Sequence, residues 1–258
     1  MILVIDVSNT NTVLGVFDGD RLIDNWRLST LSGRTSDEIG TLIRSLFERS
    51  EIFTMELEAV VISSVVPDVM YSLTNGIRKY IKREIMLVRP GLKTGINLRM
   101  ENPKEMGTNR IVNLVAAHEI YGGPAIVIDY STATTFDVID GDGEFLTGIT
   151  APGLQICSDA LYKRTASLPK FEIKRPESLI TKNTIDSLQA GLVIGHIGET
   201  VYIVEEIRRE LNLSDAKVIA TGGIARVIDE DGSIFDIYDP VLALQGLRLV
   251  YEKNKNKK

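Results

Sequence analysis

The chain has 258 residues, a formal net charge of −6 and 44% hydrophobic residues, a composition typical of globular proteins. The acidic balance argues against nucleic-acid binding through bulk charge, which needs a basic face. A single cysteine, Cys157, and two histidines rule out an intrachain disulfide and a zinc cluster of the His/Cys type. Since the sequence shows neither a long apolar run nor a basic leader, we expect a cytoplasmic protein without a membrane segment.

The first half of the chain predicts strands followed by alternating helices and strands. Residues 2–7 form a continuously apolar run, typical of a strand buried on both faces. Strands over 13–17 and 21–29 flank Asp18-Gly19-Asp20, a strong hairpin signal. The remaining predicted elements are a helix over 35–50, a strand over 59–64, a helix opened by Pro67 and a strand over 85–88. The predicted order is β-β-β-α-β-α-β.

The second half predicts a similar order after a loop and a helix over 110–121. The expected elements are strands over 125–130, 134–139 and 144–150, a helix over 153–162, an irregular segment over 166–182, a long helix over 184–211, a strand over 217–220, a turn over 221–223 and a helix over 240–251. The basic tail over 253–258 is expected to be a frayed terminus.

One stretch of the sequence occurs twice. Val-Ile-Asp-Val-Ser-Asn-Thr-Asn-Thr at 4–12 returns as Val-Ile-Asp-Tyr-Ser-Thr-Ala-Thr-Thr at 127–135. Both copies lead into a second apolar run, then Asp-Gly-Asp, then a third run. The repeat predicts two related half-domains, 1–109 and 110–258, that face one another across a cleft. Two β-β-β-α-β-α units in tandem are typical of the actin-like ATPase and sugar-kinase architecture.

Each copy of the repeat carries groups suited to phosphate and metal binding. A strand ends at Asp6 or Asp129 and turns through small polar residues into the next strand. Backbone N–H groups and hydroxyls in such a turn can surround phosphate oxygens. Asp6 can hold Mg²⁺ directly or through water, and the second copy adds the hydroxyls of Thr132, Thr134 and Thr135. An ordinary polar hairpin is the alternative, but the duplication favours phosphate binding.

A glycine turn is a third candidate. Thr221-Gly222-Gly223 follows a short predicted strand and opens onto a predicted helix. Such a turn suits an anion or an adenine–ribose edge. A plain turn between a strand and a helix is the alternative interpretation.

A series of short motifs runs in order along nearly the whole chain. They are Asp6-Val7-Ser8-Asn9-Thr10-Asn11-Thr12, Ser63-Ser64-Val65-Val66-Pro67, Lys93-Thr94-Gly95, Asn102-Pro103, Gly107-Thr108-Asn109-Arg110-Ile111-Val112-Asn113, Asp129-Tyr130-Ser131-Thr132-Ala133-Thr134-Thr135, Ala151-Pro152-Gly153, Leu168-Pro169, Lys182-Asn183-Thr184 and Thr221-Gly222-Gly223. The series resembles the type III pantothenate kinases of the acetate and sugar kinase/Hsp70/actin superfamily. The resemblance implies an α/β fold of duplicated actin-like, ribonuclease H-like β-β-β-α-β-α domains with an interdomain cleft.

The resemblance also implies an activity, ATP-dependent phosphorylation of the terminal hydroxyl of pantothenate, the first step of coenzyme A synthesis. It implies Mg²⁺, a monovalent cation (K⁺ or NH₄⁺) and a homodimer. The implied ATP contacts are Asp6, Val7, Ser8, Asn9, Thr10, Asn11, Thr12, Val13 and Thr132. The implied substrate contacts are Met100, Gly107, Thr108, Asn109, Arg110 and Thr184. Asp129 would hold the monovalent cation and Asp6 the Mg²⁺, while Asn109 and Arg110 occupy the catalytic positions.

Several residues depart from the family pattern. Asn109 stands where the family has an aspartate, the expected general base, and an amide cannot accept a proton at neutral pH. Ser8 and Ser131 replace loop glycines, Met100 replaces a substrate-contacting tyrosine, and 198–202 is bulkier than usual. These departures leave two alternatives to the kinase. One is a weak or inactive relative that binds nucleotide or pantothenate as a regulator, and the other is a kinase for a related small molecule.

Overall fold

The computed structural model describes residues 1–255, which fall into two compact units. Unit 1 contains Met1–Gly95, Glu101–Ala116 and the chain from Leu242 onward, and unit 2 contains Ile96–Met100 and Ala117–Val241. This division differs from the predicted one at residue 109, because the last helix returns to the first unit.

The elements follow one another closely in both units. The strands are β1 (Ile2–Val7), β2 (Asn11–Asp18), β3 (Arg21–Ser29), β4 (Ala59–Ser64), β5 (Ile85–Leu87), β6 (Ala125–Tyr130), β7 (Ala133–Ile139), β8 (Phe145–Pro152), β9 (Lys217–Thr221) and β10 (Ile237–Tyr238). The helices are α1 (Ser36–Arg49), α2 (Pro67–Gly76), α3 (Thr108–Ala116), α4 (Leu154–Arg164), α5 (Thr184–Gln189), α6 (Gly195–Leu211), α7 (Ala225–Ile228) and α8 (Leu242–Asn254). Turns of π-helix over Ile77–Ile81, Ala117–Tyr121 and Ala190–Ile194 continue α2, α3 and α5, and 3₁₀ turns lie at Thr54–Glu56 and Pro103–Glu105.

The sheet of unit 1 has the strand order β3-β2-β1-β4-β5. The first three strands pair antiparallel, and β1, β4 and β5 pair parallel. All six residues of β1 are buried, as the continuous apolar run predicted. Because β1 and β4 are parallel neighbours, their carboxyl ends, at Val7 and Ser64, lie side by side.

The start of α1 and the packing of α8 can each be explained by individual residues. Thr35 caps α1 through a reciprocal pair of hydrogen bonds with Glu38, and the helix buries Ile43 and Phe47 against the sheet. Helix α8 packs on α3, where a methyl group added at Gly246 would overlap the backbone of Val112. Glycine is therefore required for the two helices to approach this closely.

The predicted frayed tail is wrong at its first residues. Helix α8 continues to Asn254, whose side chain is buried. The Asn254 amide donates to the Lys93 carbonyl at 2.8 Å, and the Lys93 N–H donates to Asn254 Oδ1 at 3.0 Å. This pair satisfies the backbone of a loop in the way a strand would. Residues 256–258 of the predicted tail lie outside the described part of the chain.

The sheet of unit 2 repeats the order of unit 1. Its strands run β10-β9-β6-β7-β8, with β6, β7 and β8 antiparallel and β6, β9 and β10 parallel. The two loops that carry the sequence repeat thus follow equivalent central strands. The two-residue strand β10 was not predicted from the sequence.

The long predicted helix of unit 2 is confirmed over 184–211. Asn183 caps its start, because Asn183 Oδ1 accepts a hydrogen bond from the Asp186 N–H at 2.9 Å. The helix ends at Asn212, which adopts a left-handed conformation with φ of 54°. None of the helices among residues 1–255 is long and apolar enough to cross a membrane.

Candidate active site

The first repeat loop places a buried carboxylate at the end of a central strand. Asp6 is 7% exposed, and its Oδ2 accepts a hydrogen bond from the Ser8 hydroxyl at 3.1 Å. Its Oδ1 is buried and has no hydrogen-bond partner within residues 1–255. Burial raises the pKa of Asp6 to about 6, and the hydroxyls of Ser8 and Ser63 oppose this rise. A buried carboxylate oxygen without a partner fits a hard cation such as Mg²⁺.

The backbone around Asp6 forms a closed turn. The Ser8 N–H donates to the Asn11 carbonyl at 3.0 Å, which fixes the chain reversal between β1 and β2. In the β1–β2 pair Asp6 lies opposite Val13, the last of the predicted ATP contacts. The predicted stretch from Asp6 to Val13 is therefore one compact hairpin end.

A hydroxyl pair joins the end of β4 to the start of α3. Ser63 is fully buried and lies opposite Asp6 in the parallel register of β1 and β4. Its hydroxyl donates to Thr108 Oγ1 at 2.9 Å, and the Thr108 hydroxyl lies 3.2 Å from the Ser64 carbonyl, which can only accept. The structure thus brings the predicted substrate contact Thr108 to the same edge of the sheet as Asp6.

The predicted catalytic residues occupy the first turn of α3. The Arg110 N–H donates to the Gly107 carbonyl at 3.1 Å. A methyl group added at Gly107 would lie 2.7 Å from Asn109 Oδ1, so glycine leaves the space that the Asn109 side chain uses. Gly107, Thr108, Asn109 and Arg110 therefore form one local group within unit 1.

The second repeat loop carries hydroxyl groups that lack partners. Asp129 lies opposite Thr135 on one side and Thr221 on the other. The hydroxyl oxygens of Thr134 and Thr135 are buried and have no hydrogen-bond partner in the described part of unit 2. Because leaving a buried hydroxyl unpaired is costly, the Thr135 oxygen, on the same face of the sheet as Asp129, fits a bound cation or polar ligand, whereas Thr134 lies on the opposite face with Tyr130.

Two glycines press against the backbone of this second loop. Gly222 has a φ of +95°, and a methyl group added there would overlap the Tyr130 carbonyl. A methyl group at Gly153 would overlap the Thr132 carbonyl and lie 2.7 Å from that of Ser131. The glycine turn at 221–223 thus has a packing reason for its glycine, whatever else it binds.

The remaining predicted substrate contacts lie in unit 2. Met100 is half-buried at the end of the segment Ile96–Met100, which joins this unit through a bridge between Asn97 and Glu144. Thr184 is exposed and is the first residue of α5, directly after the capping residue Asn183.

Two residues that contact the first site, Ser63 and Thr30, have no individual role in the sequence-based predictions. Ser63 had a signal, since it is a polar residue near the end of an apolar strand. Thr30 had none, because its hydroxyl donates to the Ser8 carbonyl at 2.8 Å across a long sequence separation. Such a contact arises from strand pairing, so no pattern of neighbouring residues in the sequence predicts it.

Proteins of known structure share this fold. A Campylobacter jejuni protein described as a conserved putative Baf family transcriptional activator has a TM-score of 0.60 at 19% identity, covering 98% of this chain and 99% of that one. The ethanolamine utilization protein EutJ from Carboxydothermus hydrogenoformans has a TM-score of 0.55 at 16% identity, covering 96% and 89%. Together with the repeated sheet order, these likenesses confirm the predicted α/β class of duplicated actin-like domains.

The sequence comparisons identify the family within this class. A type III pantothenate kinase from Agathobacter rectalis is 48% identical over 257 residues, covering 100% of this chain and 99% of that protein. The family model for type III pantothenate kinases matches residues 2–206. The chain therefore belongs to the type III pantothenate kinase family, as the series of motifs predicted.

Proposed function

We propose that this protein is a cytoplasmic kinase that transfers a phosphoryl group from ATP to pantothenate, forming 4′-phosphopantothenate for coenzyme A biosynthesis. The observation that carries the proposal is the cluster of Asp6, Ser63 and Thr108 at one edge of the first sheet, in a chain that belongs to the type III pantothenate kinase family over its full length. A buried carboxylate can bind Mg²⁺, and the N–H groups and hydroxyls of the polar turn beside it can bind the phosphates of a nucleotide.

The first loop supports nucleotide binding. Asp6 to Val13 would contact the phosphates through the loop N–H groups and hydroxyls, and Thr132 stays a predicted ATP contact by the family resemblance alone. Asp6 would hold Mg²⁺ through its unpartnered Oδ1. When bound, the ion offsets phosphate charge, and phosphoryl transfer depends mainly on such positioning and charge neutralisation.

The start of α3 supports binding of the acceptor substrate. Within unit 1, Gly107, Thr108 and Arg110 would contact pantothenate, and Met100 and Thr184 stay predicted contacts by the family resemblance alone. The Arg110 guanidinium suits the substrate carboxylate or a phosphate, because it can donate two parallel hydrogen bonds. Asn109 can hydrogen-bond the attacking hydroxyl and orient it, but it cannot take the proton.

The second loop supports binding of a monovalent cation, K⁺ or NH₄⁺. Asp129 would supply the charge, and Thr135, which lies opposite it in the β6–β7 pair and therefore on the same face of the sheet, has an unpartnered hydroxyl oxygen of the right kind. Activity should then depend on one of these cations, and Na⁺ should replace it poorly.

A homodimer is the second part of the proposal, and exposed apolar residues of unit 2 support it. Ile180 is 80% exposed, and Tyr202 of α6 is 64% exposed. Large apolar side chains this exposed are candidates for an interaction surface, and substituting each one tests whether it belongs to one. Light scattering of Ile180→Glu and Tyr202→Glu should show monomer, whereas Met55→Glu, a control at an equally exposed site of unit 1, should stay dimeric. A wild-type monomer at micromolar concentration would refute the homodimer.

The test of the activity is a coupled assay of ADP formation with ATP, Mg²⁺ and NH₄⁺. ADP formation that depends on pantothenate, with 4′-phosphopantothenate as the product, is the expected result. No pantothenate-dependent ADP at any ATP concentration would count against the kinase. Pantetheine and short hydroxy acids should be assayed in parallel, because Met100 in place of a tyrosine favours a changed pocket.

A regulatory binding protein is the second candidate, and Asn109 is the observation that favours it. Such a protein would bind ATP or pantothenate in calorimetry and yet form no ADP. If the missing base is what makes it inactive, Asn109→Asp should form ADP where the wild-type protein forms none. Turnover of pantothenate by the wild-type protein would exclude this candidate.

A further inference from the structure

One residue outside the repeat contacts the first loop at three of its positions. Thr30 follows directly after β3, and its hydroxyl donates to the Ser8 carbonyl at 2.8 Å. The Thr30 N–H donates to the Thr10 carbonyl at 3.0 Å, and Thr30 Oγ1 lies 2.8 Å from Thr12 Oγ1. These contacts extend the pairing of β2 and β3 one step beyond its last register pair, Asn11 with Ser29.

The direction of these hydrogen bonds follows from the donor count. A threonine hydroxyl has one proton, and a carbonyl oxygen can only accept. The Thr30 proton is therefore used on Ser8, so the Thr12 hydroxyl must donate to Thr30 Oγ1. This leaves the lone pairs of Thr12 free to accept, and it fixes the orientation of both hydroxyls.

The loop needs such support because of its composition. A tight phosphate-binding turn often uses glycine, which lets the ligand approach the backbone. Here Ser8 occupies that position, and its own side chain is used on Asp6. Ser8 is consequently held through its side chain by Asp6 and through its carbonyl by Thr30.

We propose that Thr30 is a positioning residue for the nucleotide, which acts by holding the Ser8 and Thr10 peptides and the Thr12 hydroxyl in the geometry that binds the phosphates of ATP. This rests on the proposed function of the loop. Thr30 itself does not touch the nucleotide. Its removal should therefore weaken the use of ATP and leave the use of pantothenate intact.

The chain offers a matched set of variants. Thr30→Val keeps the shape and removes the hydroxyl, and Thr30→Ser keeps the hydroxyl. The valine should be tolerated, because Thr30 lines a small cavity of about 40 Å³ whose other walls are mostly apolar, among them Leu14, Leu28 and Val69. The control is Thr74→Val, which removes a hydroxyl that donates within α2, to the Met70 carbonyl at 2.7 Å.

The expected result is a separation of the two substrates. Loss of a hydrogen bond that orders the loop should lower kcat/KM for ATP by roughly tenfold in Thr30→Val. The dissociation constant for ATP in calorimetry should rise by a similar factor, and KM for pantothenate should stay at the wild-type value. Thr30→Ser should restore most of the ATP affinity, and Thr74→Val should change neither substrate.

Three outcomes would overturn the role of Thr30. In the first, Thr30→Val and Thr74→Val have the same kcat/KM and dissociation constant for ATP. In the second, Thr30→Ser loses as much ATP affinity as Thr30→Val. In the third, Thr30→Val has a lower melting temperature but binds ATP as tightly as the wild-type protein. Thr30→Ala provides the same comparison should the valine variant not fold. If the wild-type protein binds no ATP, both the proposed function and the role of Thr30 are refuted. If the wild-type protein turns over normally and any of the three outcomes is observed, only the role of Thr30 is refuted.

Discussion

The Ser8 hydroxyl donates a hydrogen bond to Oδ2 of Asp6, while Oδ1 of the same carboxylate is buried without a partner in the described part of the chain. A buried charge with one unsatisfied oxygen is costly in the folded protein. Burial accordingly raises the pKa of Asp6 to about 6. The carboxylate is still mostly ionised at neutral pH, as the proposed cation site requires. Its burial therefore destabilises the metal-free fold and at the same time supplies the negative charge that would bind Mg²⁺.

Replacing Asp6 by asparagine should stabilise the metal-free protein at neutral pH. The folded-state pKa of about 6 lies above the unfolded value of 3.8, so the folded state holds the proton more tightly. Stability of the wild-type protein then falls as pH rises from about 4 to about 6 and stays low above that range. Asp6→Asn should gain up to about 3 kcal/mol at pH 8 and little at pH 4.

Urea denaturation of both proteins without Mg²⁺ at several pH values measures this difference, with the exposed Asp18→Asn as the control. A stability difference that is the same at every pH would contradict the prediction. In assays with Mg²⁺ and ATP, Asp6→Asn should be the less active protein, with kcat/KM at least about a hundredfold lower, because the substitution removes the carboxylate proposed to bind the metal.

Asn109→Asp should raise turnover. The substitution keeps the shape of the side chain and supplies a carboxylate that can accept the proton of the attacking hydroxyl. General-base assistance is worth about 10²- to 10⁴-fold in kcat. Steady-state kinetics should show this gain with little change in KM for ATP, and Asn109→Ala should show none. Equal turnover in the asparagine and aspartate proteins would mean that position 109 does not act as a base.

Gly222→Ala should be strongly destabilising. The φ of +95° strains any side chain, and the added methyl group would overlap the Tyr130 carbonyl. We expect a loss of about 2 kcal/mol or more in the free energy of unfolding, from backbone strain of this kind and the overlap together. Gly198→Ala in α6 is the control, because an added methyl group there meets nothing within 4 Å. It should stabilise the protein by about 0.5–1 kcal/mol; a similar loss in both variants would contradict the steric argument.

The central strands were predictable because burial on both faces leaves a continuous apolar run, as in β1 and β6. The duplicated loops were predictable because Asp6 and Asp129 recur in the same setting. The return of α8 to unit 1 was not predictable, since it depends on how Gly246 meets Val112, which no local pattern encodes. The prediction of a frayed terminus from residue 253 failed for the same reason, because Asn254 is buried through its hydrogen bonds to Lys93, in a loop far away in the sequence.

The residues of the candidate site likewise differ in how far the sequence could predict their positions. Its loop residues follow strands whose ends can be read from the sequence, so the position of Asp6 and Ser8 at the end of β1 was predictable, while their contact with nucleotide stays a prediction. Ser63 and Thr30 reach the loop only through the parallel and antiparallel register of their strands. Register is a property of the folded sheet, and no local pattern around Ser63 or Thr30 shows which residue of the neighbouring strand each one faces.

Tyr130 and Thr200 should behave as an energetically coupled pair. Their hydroxyl oxygens lie 2.6 Å apart in the core of unit 2, and they link β6, directly after Asp129, to α6. Tyr130→Phe and Thr200→Val should each lower the free energy of unfolding by about 1–3 kcal/mol, because each leaves a buried hydroxyl without its partner. The double variant should lose less than the sum, with a coupling of about 1 kcal/mol, since it removes both groups together. Urea denaturation of the four proteins closes this cycle, and strictly additive losses would show that the two hydroxyls do not stabilise one another.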